Sequence, residues 1–127
     1  MTYIRKTKKT IEQITLDLEV AVKKYNFGVL HIHDLKQTMN KKGVEFTNEC
    51  RIFEICNPLK AKFVLDQDMS LSMALPCKIS VYEDKDTFYI GTILPTSLFE
   101  TLSNDKNLQV VAQEIEEISK AIIDEVK

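Results

Sequence analysis

Residues 50–58 read Cys-Arg-Ile-Phe-Glu-Ile-Cys-Asn-Pro. Apolar side chains at both odd and even positions describe a strand packed on two sides, because successive side chains of a strand point to opposite faces. Asn57-Pro58 then ends that strand and starts a helix. The Asn side chain accepts an otherwise orphaned N–H, and Pro is preset for the first helical position. The helix that follows is expected to bury Leu59, Phe63 and Val64. A central strand running straight into a helix is the beginning of a layered structure of mixed α and β elements.

Reading outward toward the C-terminus, Cys77, Ile79 and Val81 alternate with Lys78, Ser80 and Tyr82, a strand with one polar face. Glu83 to Asp86 is a charged turn, and Thr87 to Leu94 is the answering strand of a hairpin, stopped by Pro95. Asn104 or Asp105 opens the longest helix, with Leu108, Val111, Ile115, Ile118 and Ile122 opposite Glu114, Glu117 and Lys120.

Toward the N-terminus the pattern is equally legible. A short strand near Thr2 to Lys6 precedes Thr10-x-x-Gln13, a capping box that opens a helix carrying Ile11, Ile14, Leu18, Val22 and Tyr25 at steps of three and four. Asn26 and Gly28 end it. Gly28 to His33 alternates, which places Leu30 and Ile32 on one face and Val29, His31 and His33 on the other. Asp34 caps a small helix with Leu35 and Met39, closed by Gly43.

The element order predicts a single α+β domain over residues 1–127, an antiparallel sheet with its two long helices on one face. A ferredoxin-like split βαβ arrangement is the alternative. The face away from the helices is expected to remain partly apolar through Val29, Phe53 or Ile52, and Tyr82 or Tyr89. A covering partner is therefore expected, most simply a second copy in a homodimer.

Composition bounds the function. The 127 residues are 44% apolar and 28% charged, values of an ordinary globular chain. Net charge is −2, which argues against a dedicated nucleic-acid partner, although residues 1–62 sum to +5 and the rest to −7. Three cysteines, an odd number, do not make a secreted disulfide framework. Residues 1–10, MTYIRKTKKT, have no apolar segment behind their basic residues, and no run of eighteen apolar residues occurs, so neither export nor a membrane is expected and the cytoplasm is the default.

Chemistry-bearing motifs are sparse. There is no Gly-rich phosphate loop, Gly-x-Ser-x-Gly, His-Glu-x-x-His or Cys-x-x-Cys. Cys56 precedes a helix N-terminus, where the dipole can lower a thiol pKa, and antiparallel pairing of strands 50–56 and 77–84 brings Cys77 beside it. The pair is a candidate thiol site, with Asn57 and Pro76 as ligand-facing neighbours; simple packing is the competing reading. Cys50 lies six residues from Cys56 and is assigned to packing. His31 and His33 share a strand face and could face a ligand, but two imidazoles leave a tetrahedral metal short of donors, so no metal is expected. Asp66, Asp68, Glu116 and Glu117 are read as surface carboxylates. Phe88, Tyr89 and Tyr82 lack the basic interleaving of a base-stacking platform and are read as sheet core and interface.

Asn26-Phe27-Gly28-Val29-Leu30, Arg51-Ile52, Cys56-Asn57-Pro58, Leu75-Pro76-Cys77 and Val81-Tyr82-Glu83 together resemble the uncharacterised bacterial and archaeal family catalogued as domain of unknown function 302. The resemblance implies an α+β fold similar to the TATA-binding-protein-like class and a dimer, and it implies no established activity; no cofactor is expected. This chain departs from the pattern at His31-Ile32-His33 and at Leu94-Pro95, so roles proposed for those positions do not transfer. The combined reading is a non-enzymatic, homo-oligomeric binding or accessory domain for a small molecule. A thiol-based redox or sulfur-handling protein using Cys56 and Cys77 is the alternative.

Overall fold

The structure, a computed structural model, describes residues 1–127. Five strands form one sheet: β1 (Thr2–Thr7), β2 (Gly28–Asp34), β3 (Cys50–Cys56), β4 (Cys77–Asp84) and β5 (Thr87–Ile93). Their spatial order is β1-β5-β4-β3-β2, and every neighbouring pair is antiparallel. A ferredoxin-like split βαβ sets a single strand between the two strands joined by its first helix, whereas β1 and β2 are here the two edges with three strands between them, so the ferredoxin-like alternative is excluded. β3 is interior, as expected of a strand packed on both sides, while the middle position belongs to β4.

Helix α1 (Ile11–Lys24) and the long C-terminal helix α5 (Lys106–Val126) pack on one face of the sheet. Thr10 caps α1 by accepting from the Gln13 backbone N–H at 3.2 Å, but the Gln13 side chain bonds Asp17 instead of reaching back, so only half of the expected capping box forms. Ile11, Ile14, Leu18, Ala21 and Val22 of α1 meet Phe53, Ile55, Ile79, Val81 and Ile90 of the sheet, and α5 adds Ile115, Ile122, Ile123 and Val126. The buried stripe of α5 is rotated from the expected one: Val111 and Ile118 are only half-buried, and Glu116 and Ser119 lie inside. Short α2 (Leu35–Lys41) runs from its cap Asp34, which accepts from the Gln37 N–H.

Two helical elements escape the sequence pattern. Pro95 not only ends β5 but opens α4 (Pro95–Leu102), and a 3₁₀ helix, Met69–Ala74, follows α3 (Pro58–Gln67). With the start of α5 they enclose a second, smaller core of Val64, Leu71, Ala74, Phe99, Leu108 and Ala112. In α3 only Val64 is buried, whereas Leu59 is 81% and Phe63 39% exposed. The two stand one turn apart on the outer side of the helix, because α3 docks by Val64 against this second core rather than against the sheet.

The hairpin turns through Lys85 and Asp86, both at positive φ, between the paired residues Asp84 and Thr87. Two such residues in succession match the right-handed twist of the flanking strands. β2 contains a bulge: its register against β3 shifts between Val29 and His31. The extra residue, Leu30, is exposed, and Val29 and Ile32 both turn toward the helices while His31 and His33 face away. The alternation expected from sequence, with Leu30 beside Ile32 and Val29 beside the histidines, is thereby corrected. Val29 and Phe53 belong to the covered face, and of the expected outer residues Ile52, Tyr82 and Tyr89 stand on the open one.

Candidate functional site

No helix of the chain covers the outer sheet face, and strand register lays its side chains in rows. Across the middle run His33, Ile52, Ser80, Gly91 and Ile4, each the partner of the next. Beside this row lies another of Cys50, Tyr82, Tyr89 and Lys6, in which the two tyrosine rings stack at 5.4 Å. Ser80 and Gly91 are the small residues of this row, and the Ile4 side chain lies over Gly91. Gly91 is required there, since an added Cβ would meet Ile4 Cγ1 at 3.0 Å and the Tyr3 carbonyl oxygen at 3.2 Å. Ile93, 56% exposed, carries the apolar surface to the end of β5.

The histidines lie toward the β2 edge of the same face. Their ring centroids are 4.3 Å apart at an interplanar angle of 76°, and His33 Nε2 is 3.3 Å from Glu54 Oε2. No group of three or more His, Cys, Asp or Glu side chains in the chain is arranged to hold a metal ion.

The thiol candidates gather at the end of the sheet where β3 finishes and β4 begins. Cys77 pairs in register with Ile55, the residue before Cys56, and both cysteines line one small cavity with Asn57, Pro76, Phe27 and Ile115. Its free space is about 10 Å³, room for at most one water. Burial pushes the Cys77 thiol up to about 11, with a further rise from neighbouring Cys56, and burial also raises Cys56. Burial thus moves both thiols in the direction opposite to the lowering that a position before a helix N-terminus suggested. Cys50 is raised too, by burial and then by Asp34. All three thiols are free.

Asn57 is engaged at both ends of its amide. Oδ1 accepts from the N–H groups of Leu59 (3.0 Å) and Lys60 (3.1 Å), and Nδ2 donates to the Asn26 carbonyl (3.2 Å), which ties the start of α3 to the end of α1. Leu75-Pro76 is a cis peptide. Pro76 and Cys77 form a wall shared between the small cavity and a larger cleft of about 150 Å³. The cleft continues over Leu75, Ile93, Leu98 and Phe99, with Met73 and Lys78 also lining it. The structure thus unites Cys56, Asn57, Pro76 and Cys77 at one end of the sheet and leaves His31 and His33 apart from them.

The sequence reading missed the cleft because it missed α4 and the 3₁₀ helix. The signal was present: Pro95, Leu98, Phe99 and Leu102 recur at helical spacing after a proline. It also misplaced Glu116, which is buried rather than superficial. Glu116 Oε1 accepts from the Thr96 N–H (3.2 Å) and hydroxyl (2.6 Å), and so caps α4, whose own cap Leu94 has no side-chain acceptor. Burial would raise this carboxyl, but the bonds from Thr96 and the Lys120 ammonium hold it below its ordinary range.

Comparison with known proteins matches residues 3–126 to the family described as Domain of unknown function DUF302. The chain belongs to the DUF302 family. A solved structure, the uncharacterized conserved protein DUF302 from Bacillus stearothermophilus, is similar over 99% of this chain and 98% of its own, with a TM-score of 0.93 and 31% identity. No curated protein matches. The five-stranded sheet with helices on one face is thus the DUF302 architecture, and no helix of the chain is long and apolar enough to cross a membrane.

Proposed function

We propose that this chain is a non-enzymatic binding or accessory domain that works as a cytoplasmic homodimer, with the open sheet face as its interface. The observation that carries the reading is the uncovered patch of Ile4, Ile52, Ile93 and the stacked Tyr82 and Tyr89. A second copy presents the same patch about a twofold axis. Two such faces packed about 10 Å apart would interleave their side chains and exclude water from both. The edges support self-complementarity: Lys6 lies on the β1 side and Glu54 toward β2, so a twofold partner can set each against the opposite charge. The net charge of −2 favours a small molecule over nucleic acid as further partner.

Thiol chemistry at Cys56 and Cys77 is the second reading, supported by their common cavity. It ranks lower because burial raises both pKa values, the opposite of what a thiolate nucleophile needs. Sedimentation equilibrium tests the leading reading. A dimer at tens of micromolar, burying more than about 1,000 Å² in total, is the expected result, and a monomer at that concentration would overturn it.

A further inference from the structure

The cleft at the Leu75-Pro76 end has a chemistry of its own. Its lining is mainly apolar, from Pro76, Leu98, buried Phe99 and exposed Met73 among others. An apolar cavity of about this size, 150 Å³, accepts a benzene-sized body. Thr92 contributes a hydroxyl, but that group donates to the Lys78 carbonyl oxygen at 2.8 Å. The Cys77 thiol is at most a weak donor.

Lys78 is the one charged residue in the lining, and its side chain has no carboxylate within 4 Å. Its partner across the strands is Glu54, yet the Glu54 carboxylate is engaged with His33 on the far side. Register with Glu54 turns the Lys78 side chain toward the open sheet face, so a single ammonium without a carboxylate partner borders the apolar floor. An uncharged ligand would use only the floor, and a cation would be repelled.

We propose that this cleft binds a small monocarboxylate with a benzene-sized apolar body, the body seated against Pro76, Leu98 and Phe99 and the carboxylate paired with Lys78. Met73, unbranched and exposed at the lip, can shift to close over the ligand. This deepens the binding-domain reading and rests on it, but it does not require the dimer, because the floor and Lys78 come from one chain.

Amide chemical shifts of the full chain titrated with phenylacetate, 2-phenylethanol and phenethylammonium test the proposal. A probe of about ten heavy atoms should bind in the millimolar range. Phenylacetate is expected to move the amides of Cys77, Lys78, Thr92, Ile93, Leu98 and Phe99, and to bind about fivefold more tightly than the alcohol, the scale of one exposed ion pair. Lys78→Gln should reduce phenylacetate to the affinity of the alcohol and leave the alcohol unchanged. Leu98→Trp, which fills the cleft, should remove both while the remaining spectrum stays that of the folded chain. Absence of shifts at these amides in the wild-type protein, equal binding of acid and alcohol, or an unaltered phenylacetate affinity in Lys78→Gln would each overturn it. Because Ile93 belongs to both the cleft and the proposed interface, the titration is also run on folded Tyr82→Glu, whose open face is left free: a monomeric wild type that still binds phenylacetate contradicts the interface alone, and a Tyr82→Glu monomer that binds nothing contradicts the cleft alone.

Discussion

The two faces of the sheet are made from the same strands and have opposite fates. On the helix side Phe53, Ile55, Ile79, Val81 and Ile90 are wholly buried against α1 and α5. One residue along each strand, Ile52, Tyr82 and Tyr89 are half-covered and Ile4 is 41% exposed. The first face has its partner within the chain. The second carries Ile4, Ile52, Ile93 and the stacked tyrosines among polar neighbours, and this is the surface that the proposed second copy would cover.

Substitution should break this symmetry most strongly at adjacent positions of β3. Phe53→Ala removes a fully buried ring and is expected to cost about 3–5 kcal/mol in urea unfolding. Ile52→Ala, one residue away, should cost under about 1 kcal/mol at concentrations where the chain is monomeric, and more only where it is dimeric. Equal losses in the monomer would mean that the two faces are not distinguished as described.

Next in size is the polar support of the helix side. Glu116→Ala leaves the Thr96 N–H at the start of α4 without its acceptor, and a loss of about 1–3 kcal/mol is expected. The pH dependence has a defined sign. The folded pKa of Glu116 lies below the ordinary value of 4.5, so its contribution is full above that pH and is lost as the pH falls through the folded value. Wild type and Glu116→Ala should therefore converge in stability on acidification; a gap that stays constant down to pH 2 would contradict the assignment.

The smallest expected effect concerns the thiols. With Cys77 near 11, about one thiol in a thousand is ionised at pH 8. Iodoacetamide should label Cys77 slowly, with a rate that still climbs above pH 9, and Cys56 should not react as a thiolate below neutral pH. Rapid labelling of Cys56 at pH 6, slowed by Cys77→Ser, would revive the thiol reading.

How far the sequence carried depended on whether a signal was local. The hairpin, the Asn57-Pro58 helix start, the Thr10 and Asp34 caps and both long helices follow from periodicity and capping within a few residues, and all are found. The bulge at Leu30 was not legible, because a single inserted residue changes which face each side chain meets without changing composition. Leu59 and Phe63 were misassigned for a related reason: helical spacing identifies a stripe, but which of two stripes docks is decided by the distant Leu71, Phe99 and Leu108. Glu116 is the clearest nonlocal case, a carboxylate drawn inside by the uncapped end of a helix twenty residues earlier. Of the candidate sites, the meeting of Cys56 with Cys77 was legible through strand pairing. The cleft beside them was not, since its far wall is α4.

The central claim, that the open sheet face is completed by a second copy, is tested most directly by sedimentation velocity of two charge substitutions on opposite sides of the molecule. Tyr82→Glu places a carboxylate within the stacked pair on the open face, and Val110→Glu places one on the exposed side of α5, where Val110 is 59% exposed. The account predicts that wild type and Val110→Glu sediment as dimers at tens of micromolar while Tyr82→Glu, still folded, sediments as a monomer. A Tyr82→Glu protein that remains dimeric, or dissociation caused equally by Val110→Glu, would contradict it.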